Sequence, residues 1–127
     1  MIRATRNQLT NISNPYQGPA KKVLCVCSAG LLRSPTLANI LHKELGYNTR
    51  ACGTAENFAL IPMSEALIHW ADEIVFVDED CKTYLDIETK EELSLAEALE
   101  VTLAVPDNFD YDNAELKGIL LKQYLGT

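Results

Sequence analysis

Long apolar runs are missing from this sequence. No stretch approaches the roughly 20 apolar residues that cross a bilayer as a helix, and residues 1–18 lack the apolar centre of a secretory signal. We therefore predict a cytoplasmic protein that does not insert into membranes and keeps its thiols reduced. Positive charge is also scarce, with 11 Lys and Arg against 18 Asp and Glu and a formal net charge of −7. This balance argues against a general nucleic-acid binder, which is usually strongly basic.

Paired metal-ligand spacings are absent as well. The four cysteines and two histidines form neither a CxxC nor an HxxxH pair, so we predict no metal and no other cofactor. A chain of 127 residues buries about two thirds of the surface that its unfolded form exposes, and it needs neither disulfides nor metals to stay folded. The cysteines therefore require another explanation.

The charges are distributed unevenly along the chain. Residues 1–50 contain seven basic side chains and one acidic side chain, whereas residues 51–127 contain four basic and seventeen acidic ones. One interpretation is an acidic surface that keeps the protein soluble. The other is a weak attraction for anions in the N-terminal half.

The chain divides into an arm and one domain. Residues 1–20 contain Asn14-Pro15 and Gly18-Pro19 without sustained periodicity, and we predict an irregular N-terminal arm there. Residues 21–127 show no repeat, no low-complexity tract and no second domain. We predict that they form a single α/β domain.

Strand and helix patterns alternate along this domain. A short continuous apolar run predicts a buried strand at Lys22–Cys27, and we predict three further strands at Asn48–Cys52, Glu73–Asp78 and Glu100–Val105. Helical spacing and turn residues predict helices from Ser34 to Gly46, from Pro62 to Ala71, through most of residues 79–98 and from Asn113 to Leu125. The alternation predicts a three-layer fold, in which a four-stranded parallel sheet is flanked by helices on both faces. Ligands of such sheets bind beyond the carboxyl ends of the strands.

A cysteine and an arginine separated by five residues follow the first strand, in the segment Cys27-Ser28-Ala29-Gly30-Leu31-Leu32-Arg33-Ser34. Backbone N–H groups between a strand and a helix can surround an anion, and the helix dipole adds roughly half a positive charge. Gly30 can adopt the positive φ that a loop bent around an oxyanion requires. Arg33 adds a planar fork able to hold two oxygens. We therefore predict that Ser28 to Ser34 bind phosphate or another oxyanion.

The same donors act on Cys27. Thiols at helix N-termini and beside cations ionise more readily than free thiols, and the thiolate is the nucleophile. Several N–H groups together with the Ser34 hydroxyl can stabilise the charged sulfur. Cys27 is therefore the candidate nucleophile.

These residues resemble the signature of the low-molecular-weight protein tyrosine phosphatases. The resemblance includes Val23-Leu24-Cys25-Val26-Cys27, the five-residue loop and Arg33-Ser34-Pro35-Thr36. Further along, Ala51-Cys52-Gly53-Thr54 is similar to the Ser-Ala-Gly-Thr of the family, Ala71 to Asp78 to its third strand, and Val105-Pro106-Asp107 to its acid loop. The order of these pieces agrees over about residues 21–125.

The resemblance implies a phosphatase that uses no metal. Cys27 would attack phosphorus and form a phosphocysteine, while Arg33 and the N–H groups of residues 28–33 hold the phosphate oxygens. Asp107 would protonate the leaving oxygen and then activate water. The implied substrate is a phosphorylated protein, with phosphotyrosine first, or a small aryl phosphate, and the product is inorganic phosphate.

The sequence departs from the family pattern beside the acid. Asn108 replaces the proline that usually follows the aspartate, which leaves Asp110 and Asp112 as alternative acids. Three apolar side chains are candidates for the walls of an aryl-phosphate slot, although ordinary packing is the alternative: Leu31, Phe109 and Tyr111.

The loop departs from the pattern too. Gly30 stands where the family usually has an asparagine that braces the loop, so the loop is predicted to be softer. Leu32 replaces a second loop cysteine of many members, which removes their protective disulfide unless Cys25 or Cys52 substitutes. We predict that Cys25 and Cys52 pack in the sheet as small apolar groups.

Other functions keep a cysteine in such a loop. Arsenate reductases of this fold resolve a cysteine adduct with further thiols after the third strand, and Cys81 lies there. Phosphocarrier domains also resemble the Cys-Ser-Ala-Gly segment, but they need neither Arg33 nor Asp107. A phosphate-binding module without turnover, or a plain strand–helix turn whose arginine pairs with a carboxylate, are the remaining alternatives. The natural substrate stays open.

Overall fold

The computed structural model of the protein describes residues 20–28, 33–55, 59, 61–105 and 114–126. The predicted N-terminal arm lies outside the described residues except for Ala20. Two of the other segments outside them belong to the predicted site: Ala29 to Leu32 in the loop, and residues 106–113, which include Asp107.

Strands and helices alternate as the sequence predicts. The strands are β1 (Lys22–Cys27), β2 (Asn48–Gly53), β3 (Glu73–Phe76) and β4 (Leu99–Thr102). The helices are α1 (Arg33–Leu45), α2 (Glu65–Trp70), α3 (Ile87–Leu95) and α4 (Ala114–Leu125), with a 3₁₀ turn at Asp80–Tyr84.

Local sequence explains several helix ends. Gly46 follows α1 with a φ of 70°, a conformation that costs glycine little and that commonly ends helices. The Ser64 hydroxyl accepts the N–H of Leu67 at 3.3 Å and caps α2. The Asp86 carboxylate accepts the N–H of Thr89 at 2.7 Å and caps α3. Both caps satisfy backbone donors that a helix start leaves without a partner.

The four strands form one parallel sheet in the order β2-β1-β3-β4. Alternate residues of β1 face opposite sides of it. Val23, Cys25 and Cys27 join the apolar cluster that includes residues of α1 and α4, whereas Leu24 and Val26 join the cluster that includes residues of α2. The sheet is therefore covered on both faces, and the predicted three-layer fold is confirmed.

Several predicted boundaries are shifted. The helix predicted from Pro62 starts at Glu65, because Pro62 forms a bridge with Gly53 and Ser64 is the extended cap. The helical stretch predicted over residues 79–98 consists of the 3₁₀ turn and α3. Strand β4 starts one residue earlier than predicted and ends at Thr102.

Sheet-like hydrogen bonds continue past the ends of β3 and β4. The N–H of Leu103 donates to the Phe76 carbonyl at 2.8 Å, and the N–H of Val105 donates to the Val77 carbonyl at 3.0 Å. Regular strand geometry thus ends at Phe76 and Thr102, before the predicted ends at Asp78 and Val105, although hydrogen bonding between the two segments continues to Val77 and Val105. The residues that follow β3 and β4 therefore lie at the carboxyl edge of the sheet.

Candidate functional site

The carboxyl ends of β1 and β2 lie side by side. Cys27 is opposite Gly53 in the strand register. The N–H of Thr54 donates to the Cys27 carbonyl at 2.9 Å, and the N–H of Ala55 donates to the Ser28 carbonyl at 2.8 Å. These bonds fix the start of the loop that leaves β1, at the edge where parallel sheets bind ligands.

The Cys27 sulfur contacts a hydroxyl on the first turn of α1. Cys27 Sγ and Ser34 Oγ are 3.1 Å apart, and Ser34 Oγ donates to the Cys52 carbonyl at 3.2 Å. A hydroxyl carries one proton, so while Ser34 donates to Cys52 its oxygen can only accept from the Cys27 thiol. The Ser34 hydroxyl can instead donate to a Cys27 thiolate if its proton turns towards the sulfur.

Arg33 is buried at the same edge of the sheet, with 3% of its surface exposed. Its Nη1 forms an ion pair with the Asp78 carboxylate and donates to the Val105 carbonyl at 2.9 Å. Asp78 follows β3 and Val105 follows β4. The segments that follow β3 and β4 and the start of α1 therefore meet at this guanidinium.

Asp78 is held on both of its oxygens. Oδ2 pairs with Arg33, and Oδ1 accepts the N–H of Cys81 at 2.8 Å. Burial by itself would raise the pKa of Asp78, but the hydrogen bonds from Arg33 and from the Cys81 N–H outweigh burial and lower that pKa below its usual value. Asp78 is therefore a fixed anion that orients the Arg33 fork.

All four cysteines are buried free thiols, and Cys27 is 3% exposed. Burial raises the pKa of Cys25 and of Cys52, and it raises the pKa of Cys81 to about 12. The Cys81 thiol donates to the Asp78 carbonyl at 3.0 Å. These three sulfurs are kept neutral, which agrees with the predicted packing of Cys25 and Cys52 as small apolar groups.

The described residues contain part of the predicted site. Cys27, Arg33 and Ser34 come together at the carboxyl edge, and Ser28 begins the loop beside them. The remaining predicted members lie outside the described residues: Ala29, Gly30, Leu31, Leu32, Asp107, Phe109, Asp110, Tyr111 and Asp112.

Asp78 had no predicted role in the site. It stood only as the last residue of the predicted third strand. A carboxylate at the carboxyl end of a strand next to β1 could have been predicted as a site residue, because a parallel sheet places that position beside the loop that follows β1. One alternative predicted from the sequence was a plain strand–helix turn whose arginine pairs with a carboxylate. The ion pair between Arg33 and Asp78 agrees with that feature of the alternative.

Among the described residues, no helix is both long enough and apolar enough to cross a bilayer.

No family model and no curated protein matches the chain. Solved structures do match. The tyrosine phosphatase Wzb from Escherichia coli K30, in complex with phosphate, is 12% identical, with a TM-score of 0.55, over 85% of this chain and 96% of that chain. A mutant of the arginine phosphatase YwlE, with a phosphorylated active-site serine, is 18% identical, with a TM-score of 0.54, over 84% and 96% of the two chains; YwlE is from Bacillus subtilis.

A third similar structure is a thioredoxin-dependent arsenate reductase from Corynebacterium glutamicum. It is 12% identical, with a TM-score of 0.55, over 94% of this chain and 68% of that chain. The chain therefore has the fold of the low-molecular-weight tyrosine phosphatases, as the resemblance implies, and shares it with an arsenate reductase. At these identities the comparisons establish the fold.

Proposed function

We propose that the protein is a phosphatase that hydrolyses phosphate monoesters, above all protein phosphotyrosine, through a phosphocysteine formed on Cys27. The observation that carries this proposal is the arrangement of three groups at the carboxyl edge of the sheet. The Cys27 sulfur contacts the Ser34 hydroxyl, and Arg33 is locked beside them by Asp78 and the Val105 carbonyl. Similar structures that contain phosphate or a phosphorylated active-site residue support an oxyanion at this place.

In the first step the Cys27 thiolate attacks phosphorus. A bond between sulfur and phosphorus forms while the bond from phosphorus to the ester oxygen breaks, and that oxygen leaves with a proton from Asp107. Arg33 and the N–H groups of residues 28–33 hold the equatorial oxygens, where negative charge is spread in the transition state.

In the second step water attacks the phosphocysteine. The Asp107 carboxylate accepts a proton from this water, inorganic phosphate leaves, and the thiolate is restored. Val105, whose carbonyl accepts from Arg33, stands two residues before Asp107. The segment that carries the proposed acid therefore starts at the proposed phosphate site.

Ser34 and Asp78 assist as positioning residues. The Ser34 proton turns from the Cys52 carbonyl to the sulfur whenever the thiolate is present. Asp78 and Val105 hold Nη1 of Arg33 and so orient the guanidinium, which binds two phosphate oxygens.

Phosphate release from an aryl phosphate tests the proposal. We expect Cys27→Ser to reduce the rate by about a thousandfold or more, because the nucleophile is removed. We expect Arg33→Lys to raise KM and lower kcat, because a point charge replaces the fork. Arg50→Lys is the matched control, since Arg50 is also a buried arginine but lies within β2. Turnover by Cys27→Ser at the normal rate would overturn the proposal.

Leaving-group dependence tests the acid. A phenol of high pKa needs a proton as it leaves, whereas an acidic nitrophenol needs little help. We expect Asp107→Asn to lose far more rate with phenyl phosphate than with nitrophenyl phosphate, and Asp110→Asn and Asp112→Asn to show no such difference. Equal losses for both esters would remove Asp107 as the acid.

Arsenate reduction is the alternative that the fold leaves in place. It needs a further reactive thiol, and Cys81 is the candidate by position. In the structure Cys81 is 1% exposed, and its thiol donates to the Asp78 carbonyl. Its raised pKa keeps it from acting as a thiolate near neutral pH. Hydrolysis is therefore favoured, and thioredoxin-dependent arsenate turnover that is lost in Cys81→Ser would reverse this choice.

A cysteine phosphocarrier is distinguished by the fate of the phosphoryl group. A carrier retains it until an acceptor arrives, whereas the proposed enzyme transfers it to water. We expect labelled phosphate to leave Cys27 without any acceptor protein. A stable phosphocysteine in the wild-type protein would favour the carrier.

A further inference from the structure

Three side chains with metal-binding atoms meet where α2 lies beside α3. Glu65 and His69 are four residues apart in α2, so they share one face of that helix. Glu92 reaches them from α3, and its Oε2 lies 2.8 Å from His69 Nε2. One potential ligand atom from each of the three residues lies within 4.8 Å of the other two.

Both helices hold these residues on a fixed backbone. Leu67 and Ile68 of α2 are fully buried against the sheet, and Leu93 of α3 packs against the same cluster. Each helix start is capped by a side chain. With the backbone fixed, small rotations of the three side chains are enough to adjust the distances between their ligand atoms.

The distances suit one small cation. A tetrahedral ion with bonds of about 2.0–2.2 Å to nitrogen and oxygen separates its ligand atoms by roughly 3.4 Å. His69 Nε2 and Glu92 Oε2 are 2.8 Å apart, and no pair of the three ligand atoms is more than 4.8 Å apart, so the required spacing lies within this range. The His69 side chain is 43% exposed and that of Glu92 is 23% exposed, which leaves access for the ion and for water as the fourth ligand.

The donor set indicates which cations would bind. One imidazole and two carboxylates suit divalent transition metals such as Zn²⁺, whereas Mg²⁺ and Ca²⁺ prefer oxygen alone. Residues 51–127, which supply all three ligands, contain seventeen acidic and four basic side chains. This excess of negative charge attracts cations to this half of the chain.

We propose that Glu65, His69 and Glu92 form a binding site for a divalent transition metal ion, with Zn²⁺ as the representative, that links α2 to α3. The site is separate from the proposed phosphatase site, since Cys27 takes no part in it. A hydrogen bond between His69 and Glu92 without any metal function is the competing interpretation. The two interpretations differ at Glu65, because that hydrogen bond does not involve it.

Zinc titration of the full chain tests the site. All arms carry Cys27→Ser, so that the proposed catalytic thiol is not a ligand. Under this proposal the melting temperature rises with Zn²⁺ by roughly 5–10 °C at a hundredfold excess of free ion over Kd, and calorimetry gives one ion per chain. In Glu65→Gln and His69→Gln the shift is lost. Glu91→Gln, which removes the same charge from an exposed neighbour on α3, keeps it.

Cobalt provides a second measurement. Co²⁺ bound to nitrogen and oxygen gives visible bands of a four- or five-coordinate ion without the intense near-ultraviolet band of cobalt bound to thiolate. We expect these bands in the Cys27→Ser protein and their loss in Glu65→Gln. A zinc shift that persists in Glu65→Gln and His69→Gln, a shift lost equally in Glu91→Gln, or the absence of any shift would overturn the site.

Discussion

At the scale of single residues, all four cysteines are buried, and Cys27 differs from the other three in its contact with a hydroxyl at a helix start. Cys27 ends β1 and contacts the Ser34 hydroxyl at the start of α1. Cys25, Cys52 and Cys81 are surrounded by the core, and burial raises the pKa of each of them. Cys27 is therefore the proposed nucleophile, whereas the other three cysteines pack as apolar side chains. The difference depends on whether the cysteine lies beside the start of a helix.

Alkylation of the native protein measures this difference. Iodoacetate reacts with thiolates, so at neutral pH we expect it to modify Cys27 first, while the other three thiols react only after unfolding. Inorganic phosphate is expected to slow the reaction by occupying the loop. Peptide mapping by mass spectrometry identifies the modified residue, and Cys27→Ser is the control. Modification of Cys81 before Cys27 would contradict both the proposed nucleophile and the protected state of Cys81.

Residue patterns revealed the local half of the site. Cys27, Arg33 and Ser34 lie within eight consecutive residues, so spacing and a helix start were enough to join them. The partner of Arg33 was not predicted, because Asp78 is 45 residues away in sequence. Joining the two requires β3 to lie next to β1, and the apolar pattern of a buried strand does not state its neighbours. The sequence did not predict the cluster of Glu65, His69 and Glu92 for the same reason, because Glu92 belongs to a different helix from the other two residues.

At the scale of elements, α4 supports the exit from β4. The Gln123 side chain accepts the Ala104 N–H at 2.7 Å and donates to the Ala104 carbonyl at 2.9 Å. Leu116 and Leu120 of α4 are fully buried, and both belong to the cluster that contains Cys27. The helix thus anchors the residues from which the chain continues towards Asp107.

Truncation of one α4 leucine tests that anchoring. We expect Leu120→Ala to lower the free energy of unfolding by about 2–5 kcal/mol, because a fully buried side chain leaves a cavity. Leu125→Ala on the same helix, at a residue that is 61% exposed, is expected to change it by no more than about 0.5 kcal/mol. Urea denaturation of both variants gives the comparison. Similar losses for the two leucines would show that α4 does not depend on this contact.

Elements were easier to predict than their ends. All four strands were predicted at overlapping positions, and β1 was the clearest because a buried parallel strand gives a continuous apolar run. The start of α2 was missed by three residues, since Pro62 bridges Gly53 of another element and so cannot begin the helix. The end of β4 was missed because Leu103 and Val105 make sheet-like hydrogen bonds without regular strand geometry. Both errors depend on contacts between distant segments.

At the scale of the whole molecule, the uneven charge of the chain is partly paired inside it. Lys21 contacts Glu73 at 3.1 Å near the amino ends of β1 and β3, and Arg33 pairs with Asp78 at the carboxyl edge. Each pair joins the basic first 50 residues to the acidic remainder. The asymmetry therefore contributes to the packing of the fold, in addition to the acidic surface predicted from the sequence.

Acid unfolding shows how much the pair at the carboxyl edge contributes. Asp78 has a lowered pKa in the folded protein, so its stabilisation is present above the unfolded value of about 3.9 and is lost as pH falls through the lower folded value. At pH 7 we expect Asp78→Asn to destabilise the protein by about 3–5 kcal/mol, because Arg33 remains buried without its counter-ion. As pH falls through about 4 and below, the difference from wild type should shrink, because Asp78 of the unfolded wild-type chain takes up a proton before Asp78 of the folded chain does. Urea midpoints between pH 7 and pH 2.5 measure this convergence, with Asp80→Asn as the control at an exposed aspartate of the adjoining 3₁₀ turn. A gap that stays constant over the whole range would mean that the negative charge of Asp78 does not stabilise the fold.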